Sequence, residues 1–256
     1  MPDKLSRPAV VLVRPENQEN IGLAARAMKN TGFSELRLVG VLRLGPKAFR
    51  TAVHAEDVLA GARLFPTLEE ATADLHFVAA STAKRRKIGS RVEWDEAVGR
   101  IGRLPEGTRA GFLFGTERTG LTGTELRRAN LIFTIPQAGR QPSYNLGAAV
   151  LLTVYALFTA SRGGGRFGAA SGEGDDRNPA LERDAPLPRR EQDETIGRII
   201  AKLSARGFIH RTNQDHVSAW VHDYFGRTAM TARDRGFLLA LFDQKTIDPP
   251  SEKKES

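Results

Sequence analysis

The chain contains no cysteine in its 256 residues. That absence excludes disulfide bridges, zinc sites built on thiolates, iron–sulfur clusters and any mechanism that needs a thiolate nucleophile. Long apolar runs are missing too, since no segment approaches the roughly eighteen consecutive apolar residues that a transmembrane helix needs. The first residues, Met1 to Lys4, do not resemble a signal peptide, so we expect a cytoplasmic location.

Several sequence signatures of ligand sites are also absent. There is no P-loop pattern, no G-x-G-x-x-G after the first predicted strand and no G-x-S-x-G elbow. These absences argue against a phosphate-cradling loop, an ordinary dinucleotide site and a serine hydrolase, and they leave a Rossmann-type oxidoreductase as a distant alternative. The five histidines lack the spacing of metal ligands, so no metal is expected.

Basic residues are in excess. The chain has 38 Lys and Arg against 30 Asp and Glu, which gives a net charge of +8 and a pI near 10.1. This balance favours a polyanionic partner, most simply nucleic acid, although a solubilising excess of charge is nearly as common an explanation. The length and a hydrophobic content of 40% predict one large globular domain and a smaller one.

Residues 1–162 alternate strand-like runs with helical patterns. Asn20 is expected to cap the first helix and Gly32 to end it, Thr122 opens a capping box, and an apolar helix is predicted over 145–160. The strand-like runs are 9–13, 36–40, 75–81, 110–115 and 131–136. The alternation predicts an α/β fold with a largely parallel sheet and helices on both faces.

The remainder of the chain divides into three parts. Residues 163–190 are rich in Gly, Pro and charge and are interpreted as a linker. Residues 191–247 contain three amphipathic stripes and predict a small all-α domain, and residues 248–256 are expected to be a disordered tail. One stripe of this domain is aromatic and is expected to form part of its core: Trp220, Tyr224 and Phe225.

Three polar clusters lie directly after predicted strands or before a helix. They are NIGLAAR (20–26), FGTERTGLT (114–122) and QPSYNLG (141–147). Ligands of parallel sheets bind beyond the carboxyl ends of the strands, so these loops can converge. Each cluster alone is better explained by helix caps and turns. Together, in this order and in these contexts, they favour a shared ligand site.

The three clusters resemble the three motifs of the SPOUT superfamily of RNA methyltransferases, in its TrmH-like branch. The matching positions are Asn20, Gly22 and Arg26; Phe114, Gly115, Glu117, Gly120 and Leu121; and Ser143, Tyr144, Asn145 and Leu146. Tyr144 stands where the family usually has leucine. The resemblance covers about residues 7–160, and segments between 207 and 242 are similar to the C-terminal helical extension of bacterial tRNA methyltransferases, which helps in dimerisation and tRNA binding.

The resemblance implies a fold, a cofactor and a reaction. It implies a C-terminal trefoil knot in the SPOUT domain, a homodimer formed through the knot region, and transfer of a methyl group from S-adenosyl-L-methionine to a ribose 2′-hydroxyl. The cofactor-binding residues implied are Ser81, Thr82, Ala83, Gly115, Gly120, Ile135, Pro142, Ser143 and Tyr144. The catalytic residues implied are Arg26, Asn20, Glu117, Ser143 and Asn145.

Two of these residues have expected roles that depend on charge. The Arg26 guanidinium is a poor proton acceptor, so we expect it to bind a phosphate and stabilise the developing alkoxide. Glu117 is expected to hold an arginine across the dimer interface.

A basic run follows the predicted cofactor loop and consists of Lys84, Arg85, Arg86 and Lys87. Such a run is usually a solvated charged surface, but its place beside an RNA-modifying site favours phosphate binding. The function predicted is methylation of a tRNA ribose in the anticodon loop, at position 32. The alternatives are an rRNA 2′-O-methyltransferase and a non-catalytic RNA-binding SPOUT module.

Overall fold

A single seven-stranded sheet organises the larger domain. The computed structural model of the chain describes residues 7–84, 91–138, 143–162 and 185–243. The strands are β1 (Ala9–Val13), β2 (Leu36–Val39), β3 (Arg63–Phe65), β4 (Phe77–Ser81), β5 (Arg91–Glu93), β6 (Ala110–Phe114) and β7 (Leu131–Thr134). Their order is β3-β2-β1-β6-β4-β7-β5, and every neighbouring pair is parallel. The predicted α/β class with a parallel sheet is confirmed.

Helices cover both faces of this sheet. In chain order they are α1 (Gln18–Thr31), α2 (Pro46–Ala52), α3 (Glu56–Ala60), α4 (Leu68–Thr72), α5 (Trp94–Gly102), α6 (Gly123–Arg127) and α7 (Leu146–Ser161). One core lies between the sheet and α1, α2, α3, α5 and α7, and the other lies between the sheet and α4 and α6. Strands β1 and β6 are buried along their whole length, as their uninterrupted apolar sequences predict.

The start of α1 differs from the prediction. Asn17, and not Asn20, is the N-cap, since its side chain accepts a hydrogen bond from the Glu19 N–H. Asn20 lies in the first turn and is only 5% exposed. The prediction that Gly32 ends the helix is confirmed, because Gly32 has a left-handed backbone with φ of 75° and donates its N–H to the last turn.

Three further helices form the smaller domain: α8 (Arg189–Ala205), α9 (Gln214–Gly226) and α10 (Ala232–Asp243). Its small core centres on Ile196, Ile199 and Val221. The predicted linker extends too far, because Leu187 is buried and α8 already begins at residue 189. Residues 163–184 and 248–256 lie outside the described residues, so the linker and tail predictions for them stay predictions.

The helical domain packs on the larger domain through buried polar contacts. The backbone N–H of Arg189 donates to the Leu75 carbonyl at 2.7 Å. Asn130 accepts a hydrogen bond from the Val78 N–H in β4 and donates to the Gly226 carbonyl at 3.2 Å. Burial lowers the pKa of the Arg189 guanidinium to about 10. Through the hydrogen bonds of Asn130, the end of α9 is connected directly to the central sheet.

The aromatic stripe of α9 is not wholly a core, contrary to the prediction. Phe225 packs against the core of the helical domain. Trp220 is 57% exposed and Tyr224 is 49% exposed. None of the helices in the described part of the chain has both the length and the apolar character that a bilayer crossing requires.

Candidate active site

The loops that carry the three motifs meet at one edge of the sheet. β1 and β6 are neighbours in the sheet, so the loops that follow them leave the same edge side by side. α1 begins just after the β1 loop, and α7 begins at the third motif. The order of the strands therefore brings side chains near positions 20, 117 and 145 within contact distance of one another.

A chain of side-chain hydrogen bonds joins the three motifs. The Asn145 Nδ2 donates to Asn20 Oδ1 at 2.8 Å, and the Asn20 Nδ2 donates to Glu117 Oε1 at 2.7 Å. Asn145 also caps α7, since its Oδ1 accepts from the Gly147 N–H at 2.9 Å. The predicted convergence of the motifs is thus present in the structure, with one residue from each motif in the chain.

Glu117 is the residue that holds the first loop. Its carboxylate accepts the backbone N–H of Glu16 at 2.8 Å and that of Asn17 at 3.1 Å, in addition to the Asn20 amide. Within one chain the carboxylate therefore organises the β1–α1 loop, whereas the sequence interpretation assigned it to an arginine across a dimer interface. Glu16 and Asn17 were not among the predicted site residues, and only the capping preference of Asn17 hints at its place.

The protonation state of Glu117 follows from these contacts. Burial raises the pKa of its carboxyl, but the hydrogen bonds from Asn20 and from the backbone N–H groups outweigh burial and hold the pKa below its ordinary value of 4.5. The group is ionised at neutral pH. Glu117 therefore acts as an organising anion and is neither a proton donor nor an effective base.

Two glycines shape the second motif. Gly120 has φ of 68° and donates its N–H to the Thr116 carbonyl at 2.9 Å, which closes the turn. A Cβ on Gly115 would lie 2.3 Å from both the Gly120 carbonyl carbon and the Leu121 nitrogen. The resemblance implies that Gly115 belongs to the cofactor site. In the structure, the backbone of its own turn already occupies the space that a side chain would need.

The glycines of the other two motifs permit close helix packing. A Cβ on Gly22 would lie 2.2 Å from the Ala48 carbonyl oxygen of α2, and one on Gly147 would lie 2.7 Å from the Leu23 Cβ. α1 is therefore pressed between α2 and α7, and this contact fixes the position of Asn20 relative to Asn145.

The predicted cofactor loop runs beside the second motif. Ser81 ends β4, and the Thr82 N–H donates to the Phe133 carbonyl at 3.0 Å. The Lys84 Nζ donates to the Thr119 carbonyl of the FGTERTGLT turn at 3.1 Å. The loop at 81–84 and the second motif are consequently neighbours.

In the third motif, Tyr144 stands where the family usually has leucine, and its hydroxyl connects the motif to the segment after β7. The Tyr144 hydroxyl donates to the Pro136 carbonyl at 2.9 Å, one residue after the buried Ile135. Ser143 is exposed. Pro142, Arg85, Arg86 and Lys87 lie outside the described residues, so their predicted roles stay predictions.

Arg26 stands apart from the hydrogen-bonded chain. It is exposed on α1, six residues and about 9 Å of helix rise beyond Asn20. In the part of the chain that the structure describes, its guanidinium has no hydrogen-bond or ion-pair partner. Leu23, three residues earlier on the same exposed helix face, packs beside Gly147. Arg26 is thus free to bind an anion at the border between α1 and α7.

Among the described residues there is no group of three His, Asp or Glu side chains that could hold a metal ion.

Comparison with known families decides the class of the site. The pattern of one family matches residues 7–155, which include all three motif loops and the sheet beneath them. The chain belongs to the SpoU rRNA Methylase family. The predicted S-adenosylmethionine-dependent methyltransferase is confirmed at the level of this family.

Individual relatives differ in how much of the chain they match, and two TrmJ proteins match both domains. The uncharacterized tRNA/rRNA methyltransferase LasT of Escherichia coli is 37% identical over 158 residues, which are 60% of this chain and 68% of LasT. The tRNA (cytidine/uridine-2′-O-)-methyltransferase TrmJ of Yersinia pestis is 29% identical and covers 92% of this chain and 91% of its own length. The crystal structure of TrmJ from Z. mobilis, also 29% identical, superposes with a TM-score of 0.76 over 93% of this chain and 98% of that chain. The predicted resemblance to bacterial tRNA methyltransferases with a helical extension is confirmed.

Proposed function

We propose that this chain transfers the methyl group of S-adenosylmethionine to the ribose 2′-hydroxyl of an anticodon-loop nucleotide of tRNA, at position 32. The observation that carries the proposal is the hydrogen-bonded chain Asn145–Asn20–Glu117, which joins all three family motifs at one edge of the sheet. The similarity to TrmJ over both domains favours tRNA as the substrate. A tRNA substrate in turn is consistent with a cytoplasmic location.

The cofactor would lie among the loops that follow β4, β6 and β7. The residues proposed to bind it are Ser81, Thr82, Ala83, Gly115, Gly120, Ile135, Pro142, Ser143 and Tyr144. Support comes from two contacts between these segments: the Lys84 Nζ donates to the Thr119 carbonyl and joins the β4 and β6 loops, and the Thr134 Oγ1 donates to the Thr82 carbonyl at 2.7 Å and joins the end of β7 to the β4 loop. A trefoil knot through this region belongs to the proposal, as the resemblance implies.

A homodimer is also part of the proposal. Leu23 on α1 and Leu151 and Tyr155 on α7 are 42%, 43% and 54% exposed. Leu151 and Tyr155 follow Gly147 at intervals of four residues, so they extend the face of α7 that contacts Leu23. Large apolar side chains on one continuous face are typical of a surface that a protein partner covers. A second copy on this face would lie next to Arg26.

In the proposed mechanism the sulfonium cofactor supplies the methyl group and the leaving group, and the protein positions the hydroxyl for in-line attack. Glu117 and the two asparagines hold the loops rigid. Arg26 binds a phosphate of the substrate and stabilises the negative charge that develops on the ribose oxygen. Lys84 and the basic residues after it would bind the RNA backbone.

The test is methylation of tRNA and rRNA transcripts by the purified protein, followed by mapping of the blocked ribose. The expected result is a 2′-O-methyl group at position 32 of tRNA. Modification of rRNA alone would establish the rRNA methyltransferase instead, and cofactor binding without transfer to either RNA would establish a non-catalytic module.

The same assay tests the role of Arg26. For Arg26→Ala we expect nearly unchanged cofactor affinity by calorimetry and a loss of several orders of magnitude in methyl transfer. The control is Lys29→Ala, which removes a cation from the same helix that is paired with Asp57 and should leave transfer intact. Full activity of Arg26→Ala would remove this residue from the mechanism.

A further inference from the structure

An exposed pair of stacked aromatic rings lies on α9 of the helical domain. The rings of Trp220 and Tyr224 are 5.3 Å apart between centroids and inclined by only 14°. Both side chains are about half exposed, at 57% and 49%. One side of the Trp220 indole is therefore open to solvent, and the other side stacks on the Tyr224 ring.

Basic groups accompany the two rings along the same helix face. His216, Trp220, Tyr224 and Arg227 follow one another at intervals of three or four residues, which places them on one side of α9. The Arg227 guanidinium lies 5.9 Å from the centre of the Tyr224 ring. The acidic residue on this face, Asp223, lies 3.7 Å from the same guanidinium and is paired with it. The face thus combines flat aromatic surface with a nearby cation.

The helix that carries this face is held firmly against the catalytic domain. A Cβ on Gly226, the last residue of α9, would lie 2.7 Å from the Arg127 carbonyl oxygen, so the helix end approaches α6 as closely as a glycine allows. Asn130 links the Gly226 carbonyl to the Val78 N–H of β4, three residues before Ser81. The aromatic pair is therefore at a fixed distance from the loop proposed to bind the cofactor.

The chemistry of this face favours one kind of occupant. Unpaired nucleobases are recognised by stacking on exposed aromatic rings, with arginine and other cations beside them for the phosphates. An apolar protein partner would offer no group to Arg227, whereas an RNA strand offers bases to the rings and phosphates to the guanidinium that Asp223 now pairs, and the chain carries a net charge of +8. We propose that Trp220 and Tyr224 form a stacking platform for an unpaired base of the RNA substrate, with Arg227 next to the strand. This inference rests on the proposed function, in which the substrate is RNA.

The chain offers a direct spectroscopic test because it has two tryptophans. In the variant Trp94→Phe, Trp220 is the sole tryptophan, and its fluorescence reports contact with a base. We expect saturable quenching by a tRNA substrate, with a midpoint equal to the Kd measured by filter binding. Fluorescence that does not respond while the tRNA is bound would overturn the proposal.

A second measurement compares substitutions in the otherwise unchanged protein. Trp220→Ala should weaken tRNA binding by about 10-fold, within the range seen when a stacking side chain is removed, while cofactor affinity and the rate at saturating tRNA stay the same. Trp220→Phe should restore most of the affinity. The matched control is Phe237→Ala, which removes an aromatic residue of the same domain that is 69% exposed and has no ring or cation partner among the described residues.

The outcomes separate this inference from the proposed function. If the unchanged protein methylates tRNA and Trp220→Ala binds tRNA equally well, the platform is refuted and the methyltransferase stands. If Trp220→Ala instead halves the mass measured by light scattering, the occupant is a second copy of the chain and the platform is likewise refuted. Failure of the unchanged protein to bind any RNA would refute both.

Discussion

Replacing Glu117 by glutamine tests whether one carboxylate holds the three motifs together. Glutamine keeps the shape of the side chain but replaces one acceptor oxygen by an NH₂ group, which cannot accept a hydrogen bond. Glu117 Oε2 accepts from the Glu16 N–H and Oε1 accepts from Asn17 and Asn20. In Glu117→Gln, at least one of these three donors therefore loses its partner at the half-buried side chain and faces another donor.

The magnitude follows from the number and type of bonds lost. A hydrogen bond to a charged group contributes about 1.5–3 kcal/mol, so Glu117→Gln should lower the free energy of unfolding by about 2 kcal/mol at pH 7. The matched control is Glu16→Gln, which alters an exposed carboxylate of the same loop but leaves its backbone N–H in place. It should change stability by less than about 0.5 kcal/mol.

The pH dependence gives the same prediction a second readout. The pKa of Glu117 in the folded protein is below its ordinary value, so its stabilisation is fully present above pH 4.5 and is lost as the pH falls through the folded pKa. The difference between the unchanged protein and Glu117→Gln in urea unfolding should be largest at neutral pH and should shrink in acid. Equal stability and equal methyl transfer at pH 7 would refute the organising role of this carboxylate.

Four further substitutions probe the fold. His54 has φ of 64°, a left-handed conformation that glycine adopts without strain. His54→Gly should therefore raise the free energy of unfolding by up to about 1 kcal/mol. An unchanged or lower midpoint in urea unfolding would contradict this prediction. Gly115→Ala places a Cβ 2.3 Å from backbone atoms of its own turn and should abolish cofactor binding in calorimetry. Gly197→Ala places a Cβ in open space on α8 and should instead raise the free energy of unfolding by about 0.5–1 kcal/mol. Burial lowers the pKa of His76, whose Nδ1 accepts the Arg109 N–H. The unfolded chain therefore takes up a proton on His76 at higher pH than the folded protein does, and the free energy of unfolding should fall as the pH drops below about 6.5. His76→Gln should reduce this dependence of stability on pH.

The sheet and the convergence of the motifs could be predicted because both follow from local patterns. Uninterrupted apolar runs such as 9–13 and 110–114 identify buried parallel strands, and the carboxyl ends of adjacent strands share an edge. Helices α2 and α3 were missed because, with seven and five residues, they are too short to display a helical period.

The errors arise where distant contacts override a local preference. Asn17 and Asn20 are equally suited to cap a helix, and the choice between them depends on Glu117, whose carboxylate is 97 positions away from Asn20 along the chain. Trp220 and Tyr224 fall on a helical stripe that predicts a core, but the small core of the helical domain is formed by other side chains and leaves both rings about half exposed. Periodicity identifies which side chains share a face and says nothing about what covers that face.

The groups that the site contains limit what the protein contributes to the chemistry. The motif residues that the structure describes offer no effective base: the carboxylate of Glu117 has a lowered pKa, the amides of Asn20 and Asn145 bond to each other, and a guanidinium such as that of Arg26 is a poor proton acceptor. Under the proposed function the proton of the 2′-hydroxyl therefore leaves to solvent or to the RNA itself. Catalysis then consists of positioning the oxygen and stabilising its negative charge, which requires a cation and not a base. This division explains why one ionised carboxylate holds the three loops together, while Arg26 at their border has no partner among the residues that the structure describes.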